Sequence, residues 1–177
     1  ENLKSLRGKI SLVAGGPPCQ GFSMAGRRKE DDERNKLIDS YIKFIDLVQP
    51  KILFFENVRG FTIGFKNGNK RGEAYSVYVV DKLKQLGYDV KGKIVDFSEY
   101  GIPQKRQRYI LVGTKKDNAE NFFDLLVQNK VTFFKSKNFE KDTVSLSDAI
   151  SDLLQSHGTK ESPDTKNFRA GIYAKAA

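Results

Sequence analysis

Tryptophan is absent from this 177-residue sequence, and cysteine, histidine and methionine occur once each. A lone cysteine, Cys19, excludes an internal disulfide. The opening Glu1-Asn2-Leu3-Lys4 lacks the basic-then-apolar layout of a secretory leader, so an intracellular, cytoplasmic chain is the default expectation. One Cys and one His supply no ligand cluster, and no metal is expected. Nor do they suit a thiol protease, whose cysteine needs a partnering base. His157 lies in the polar stretch Gln155 to Thr159, the setting of a solvated loop. No apolar run approaches the roughly 18–20 residues of a membrane helix. The glycine-rich fingerprints of phosphate loops and dinucleotide sites are missing as well.

What is present is a globular composition for one domain, with 38% hydrophobic and 30% charged residues. Thirty-one Lys and Arg against 22 Asp and Glu leave a net charge of +9. Such an excess favours a polyanionic partner, because each cation that meets a phosphate releases condensed counterions. Stacking on bases would fall to 13 Phe and 7 Tyr, most of which belong in the core. The same charge also fits a plain solvated surface.

Along the chain, Ile10 to Ala14 reads as a short buried strand, ended by Gly15-Gly16-Pro17-Pro18. Gly21 to Asn35 is a charged surface loop. Leu37, Ile38, Tyr41, Ile42, Ile45 and Val48 keep helical spacing and stop before Pro50. Ile52 to Phe55 is a second apolar strand, followed by a Gly/Asn/Lys-rich loop from Arg59 to Gly72. Tyr75, Val79, Leu83 and Leu86 mark a helix with Gly87 as its cap. Tyr88 to Phe97 and Arg108 to Val112 are strand-like, which makes the order βαβαββ, that of an α/β sheet with helical crossovers. Beyond Thr114, Phe122 to Leu126 suggests a short helix, and Ser145 with Asp148 suggests a capped one.

In open α/β sheets, ligands collect beyond the carboxyl ends of the strands. Three polar segments are expected there: Gly15 to Ser23, Glu56-Asn57-Val58, and Gln104 to Arg108. Two prolines stiffen the backbone ahead of Cys19, and Gly15, Gly16 and Gly21 let a flat ligand approach. That setting suits a nucleophile, although a lone cysteine taken by itself is more often inert. Glu56 follows four apolar residues. It is either a buried carboxyl with a raised pKa, able to donate a hydrogen bond, or a carboxylate paired with a nearby cation. Arg106 and Arg108, at a strand entrance, are expected to face different ways, so that one could fork onto a phosphate or base carbonyl while the other braces the turn.

Gly15-Gly16-Pro17-Pro18-Cys19-Gln20-Gly21-Phe22-Ser23, Glu56-Asn57-Val58 and Gln104-Lys105-Arg106-Gln107-Arg108 occur in this order. Together they closely resemble the Pro-Cys, Glu-Asn-Val and Gln-x-Arg-x-Arg motifs of the DNA (cytosine-5) methyltransferase family. The resemblance runs from about Ile10 to Gly113, somewhat over half the chain, and Val144 to Leu154 resembles the family's stretch after the catalytic core. It implies a partial Rossmann-like α/β fold that depends on S-adenosylmethionine, with a mixed sheet and an antiparallel last strand. It also implies that the Cys19 thiolate attacks carbon 6 of a cytosine flipped from duplex DNA, while Glu56 holds or protonates ring nitrogen 3. Arg108 would contact the cytosine carbonyl, with Arg106 and Gln104 shaping the site and Asn57 supporting the Pro-Cys turn. Gln20, Ser23, Arg27 and Arg28 would meet the DNA, and Pro18 and Leu37 would border the cofactor.

The departures shape the expected organisation. The family's Phe-x-Gly-x-Gly segment and its acidic ribose contact are not found upstream of Gly15, and Ser11 stands where an acidic residue is common. Residues 1–115 are therefore expected to be the catalytic half of a methyltransferase domain. Residues 116–177 would be a helical or irregular extension toward a target-recognition region that this chain does not contain. A second chain supplying the cofactor or recognition half is one expected partner. The resemblance implies a bacterial modification methylase, in a restriction-modification setting and nucleoid-associated when acting. A tRNA cytosine-5 methyltransferase and a non-catalytic DNA-binding subunit are the alternatives.

Overall fold

The computed structural model describes residues 3–18, 36–64, 66–67, 70–137 and 143–150. Two compact units emerge: residues 1–95 with 107–123, and residues 96–106 with 124–177.

In the first unit, strand β1 (Leu12–Gly15) leads toward helix α1 (Lys36–Val48), and the chain returns as strand β2 (Ile52–Val58). The βαβ connection makes β1 and β2 parallel, with Leu12 opposite Ile52 and Gly15 opposite Phe55. A short 3-10 turn (Arg59–Thr62) and a small hairpin of β3 (Lys66–Asn67) and β4 (Lys70–Arg71) follow. Helix α2 (Tyr75–Gln85), strand β5 (Asp89–Asp96) and strand β6 (Gln107–Thr114) come next. Gly87, at φ +82°, takes the left-handed conformation that closes a helix. The sheet order is β1-β2-β6-β5, and β6 runs antiparallel to β2 with Val58 opposite Arg108 and Ile52 opposite Thr114. The expected mixed α/β sheet is present, but β6, the last strand in sequence, lies inside it between β2 and β5.

Alternation along β2 divides its side chains between two faces. Leu53, Phe55 and Asn57 are buried on one, with Ile38 and Ile45 of α1, Val79 and Leu83 of α2, and Phe61, Tyr109 and Leu111 forming the core. Rings interlock there: Phe55 lies 5.3 Å from Phe61 and 5.4 Å from Tyr41, and Phe61 lies 5.8 Å from Tyr109. The other face is partly closed by the start of helix α3 (Glu120–Ser136), where Phe122 stands edge-on to Phe54 at 6.1 Å.

Three expectations need correction. The first strand is not buried: β1 is an edge strand, and Leu12 is 54% exposed beside Ile52 at 42%. The stretch read as a loop from Arg59 to Gly72 holds the 3-10 turn and the hairpin. The short helix expected at Phe122 to Leu126 is α3, 17 residues long.

In the second unit, a 3-10 turn (Phe97–Tyr100) is capped by Asp96, whose Oδ1 accepts from the Ser98 N–H at 3.1 Å. The Phe97 N–H donates to the Arg106 carbonyl at 3.0 Å, and the Gln104 N–H to the Ile102 carbonyl at 2.7 Å. The remainder of α3 and the short helix α4 (Leu146–Ile150) belong to this unit. Lys130 on α3 stands 5.7 Å from the ring centroid of Tyr100.

Candidate active site

The parallel β1–β2 pair and the antiparallel β2–β6 pair bring three chain positions to one end of the sheet. These are the end of β1, the end of β2 and the start of β6. Glu56, Asn57 and Val58 do not follow the second strand, as expected, but form its last three residues. Their backbone is therefore held by the sheet ladder, and their side chains alternate between its faces.

Glu56 stands on the open face. Its Oε1 accepts from Arg108 Nε at 2.9 Å, with side-chain exposures of 38% for Glu56 and 19% for Arg108. Of the two readings of this residue, the ion-paired carboxylate is the one present. A deeply buried carboxyl is not, because 38% of the Glu56 side chain is exposed. Arg108 Nη1 also donates to the Gln107 carbonyl at 2.9 Å, which fixes the guanidinium from a second side. One residue on, Arg59 Nη1 donates to Gln107 Oε1 at 2.9 Å across the strand ends.

Asn57 faces the core and is 1% exposed. A polar side chain at that depth needs partners, and it has them. Its Nδ2 donates to the Pro17 carbonyl at 3.3 Å, and its Oδ1 accepts from the Val58 N–H at 2.9 Å. The amide thus clips the Gly15–Pro18 turn to the end of β2. Gly16 closes on the carboxylate from above: a Cβ placed there would stand 3.3 Å from Glu56 Oε2. Any side chain at residue 16 would crowd the space over Glu56.

Pro18 and Leu37 are both exposed, Leu37 by 43%, so each offers apolar surface beyond the end of β1 or on the first turn of α1. Apolar surface at that end of a sheet suits the flat, partly apolar body of an adenosyl group. Gln104 and Arg106 are exposed in the second unit. Residues two apart on a strand share a face, but β6 starts at Gln107, so Arg106 precedes it and that relation does not reach it. Cys19, Gln20, Ser23, Arg27, Arg28 and His157 lie outside the described residues. Among the described residues, no three His, Cys, Asp or Glu side chains gather as a metal site would need, and no helix is long and apolar enough to cross a membrane.

Sequence reasoning gave Tyr41 a place only in the apolar stripe of α1. The structure sets its ring under Gly15 and its hydroxyl against the Phe54 carbonyl at 3.3 Å. Helical periodicity marks such a residue as core, and the only sequence signal of the contact is the pair of glycines ahead of the prolines. The Arg59–Gln107 bond was likewise missed, because antiparallel register joins residues far apart in the chain.

Comparison with known proteins identifies the family. A family model for C-5 cytosine-specific DNA methylases matches residues 1–175. The chain is 38% identical over 146 residues to the Type II methyltransferase M1.HphI of Haemophilus parahaemolyticus, covering 80% of this chain and 34% of that protein. It is 34% identical over 152 residues to the Type II methyltransferase M.DdeI of Desulfomicrobium norvegicum, covering 86% and 34%. In fold it is similar to an Escherichia coli prophage-encoded protein described as a DNA modification methyltransferase. That likeness has a TM-score of 0.53 and 24% identity, over 92% of this chain and 42% of the other. The chain spans about a third of the length of the curated relatives it matches. With a family model matched over residues 1–175, the chain belongs to the C-5 cytosine-specific DNA methylase family.

Proposed function

We propose that this chain is the cytosine-handling part of a DNA (cytosine-5) methyltransferase of the bacterial modification type, acting on duplex DNA. The observation that carries the reading is the joined site: Glu56 paired with Arg108 at 2.9 Å, with Gly16 over the carboxylate and Asn57 holding the Pro17 carbonyl. Pro18 and Leu37 would border S-adenosylmethionine, whose sulfonium would supply the methyl group for carbon 5, with the neutral thioether as leaving group.

Every other step falls to this chain's own residues. The Cys19 thiolate forms a bond to cytosine carbon 6, and the electrons of the 5,6 double bond move toward carbon 5. A proton from water, held between Glu56 and ring nitrogen 3, neutralises that charge and returns to water when the thiolate leaves. Arg108 orients Glu56 and contacts the base carbonyl, with Gln104 and Arg106 shaping the site. After methylation a base takes the carbon 5 proton, the double bond re-forms and the Cys19 thiolate leaves. Gln20, Ser23, Arg27 and Arg28 meet the DNA around the flipped base. Residues 116–177 extend toward the recognition part of the whole enzyme, and the working enzyme is cytoplasmic and bound to the nucleoid.

The test is methyl transfer by the complete protein to duplex DNA and to tRNA in competition, with Cys19→Ala beside it. The reading expects labelled duplex, no product with Cys19→Ala, and DNA affinity retained by that variant. Transfer to tRNA alone, or turnover by Cys19→Ala, overturns it.

A further inference from the structure

We propose that Tyr41 is a positioning residue that sets the height of the Gly15–Pro18 turn, and through it the approach of the Cys19 thiolate to its target carbon. The inference rests on the methyl-transfer reading above and adds a residue outside the three motifs.

The argument is steric. A Cβ built on Gly15 would stand 2.5 Å from Tyr41 Cε2 and 2.9 Å from Cδ2. No side chain fits there, so the Gly15 backbone rests directly on the phenol ring. The ring has little room to retreat. Phe55 stands against it with centroids 5.4 Å apart and an interplanar angle of 62°, and Phe55 is itself packed on Phe61. The Tyr41 hydroxyl donates to the Phe54 carbonyl at 3.3 Å. Burial, and after it the neighbouring Tyr88, push its pKa above the ordinary tyrosine range, so the group stays a donor.

The turn is therefore held at two places. Tyr41 supports Gly15 from below, and Asn57 holds the Pro17 carbonyl. Between them Pro17 and Pro18 have fixed φ, so little slack remains before the chain reaches Cys19. A shift at Gly15 is passed along this stiff segment rather than absorbed in it. Displacement of a reacting group by about 1 Å costs on the order of 10²-fold in rate even when its cause lies away from the chemistry.

The test uses the complete protein with Gly15→Ala, Tyr41→Leu, their combination and Tyr41→Phe. It reads single-turnover methyl transfer at saturating duplex, DNA affinity and the thermal midpoint. Gly15→Ala forces its methyl group into the ring and is expected to slow transfer about 10²-fold with DNA affinity unchanged. Adding Tyr41→Leu removes the clash and is expected to recover about tenfold of that loss, a coupling ordinary for residues in contact. The combination nonetheless has a lower midpoint than wild type, because a partly buried ring is gone. Tyr41→Phe keeps the ring and is expected to transfer at nearly the wild-type rate, whereas Tyr41→Leu alone does not.

A merely structural role would make rates follow midpoints, with the double variant worst in both. That result overturns the inference, as does a wild-type rate in folded Gly15→Ala. Should Gly15→Ala fail to fold, Tyr41→Leu against Tyr41→Phe decides: equal rates at equal DNA affinity overturn the inference. Turnover by Cys19→Ala would instead remove the methyl-transfer reading and is separately visible.

Discussion

The two faces of β2 divide the work of the site between them. On one, Leu53, Phe55 and Asn57 are sealed against α1 and α2; on the other, Ile52 and Glu56 are reached by solvent. The sealed face contains one polar side chain, and that side chain bonds the turn ahead of Cys19 rather than facing outward. The open face contains the acid, paired to an arginine of the neighbouring strand. A single strand thus presents chemistry on one side and holds its geometry from the other. Losses in stability and in activity should therefore separate by residue parity along β2.

That separation can be broken residue by residue, starting with the largest effect on stability. Phe55→Ala removes a ring packed by Tyr41 and Phe61 and should cost about 3–5 kcal/mol in denaturant unfolding. Asn57→Ala strips the Pro17 carbonyl of its donor and opens a polar gap, a loss of about 1–3 kcal/mol. It should also slow methyl transfer by releasing the Pro17 carbonyl, so it moves both readouts. Glu56→Gln breaks a pair that is partly open to water, which changes stability by about 0–1 kcal/mol. Its methyl transfer should nevertheless fall by about 10²-fold or more, the scale of a lost general acid. Ile52→Thr, on the open face away from Glu56, should stay within about 0.5 kcal/mol and leave transfer unchanged. Equal destabilisation by Phe55→Ala and Ile52→Thr would erase the distinction between the faces.

Much of this was legible in the sequence. The spacing of Ile38, Ile45 and Val48 marks α1, the run Ile52 to Phe55 marks β2, and Gly87 ends the second helix as expected. The residues of the three motifs could be named because rigid or polar groups beside apolar strands are locally conspicuous. The rest depends on pairing across the fold. Leu12 looks like a core residue until β1 is found at the sheet edge. Glu56 after four apolar residues looks buried until Arg108 is found on the adjacent strand. The hairpin at Lys66 to Arg71 has no apolar alternation to reveal it, and α3 outruns its short apolar core Phe122 to Leu126 into Gln, Asn and Lys positions. Tyr41 under Gly15 is a contact between a helix and a strand end, and neither periodicity carries it.

The most direct measurement is covalent capture of duplex DNA containing 5-azacytosine by the complete protein, followed under denaturing conditions. Wild type, Cys19→Ala, Glu56→Gln and Ile52→Thr would be compared after each is shown to be folded. The account predicts an adduct with wild type and with Ile52→Thr, none with Cys19→Ala, and a strongly slowed one with Glu56→Gln. An adduct that forms without Cys19, or at the wild-type rate without the Glu56 carboxyl, would contradict it.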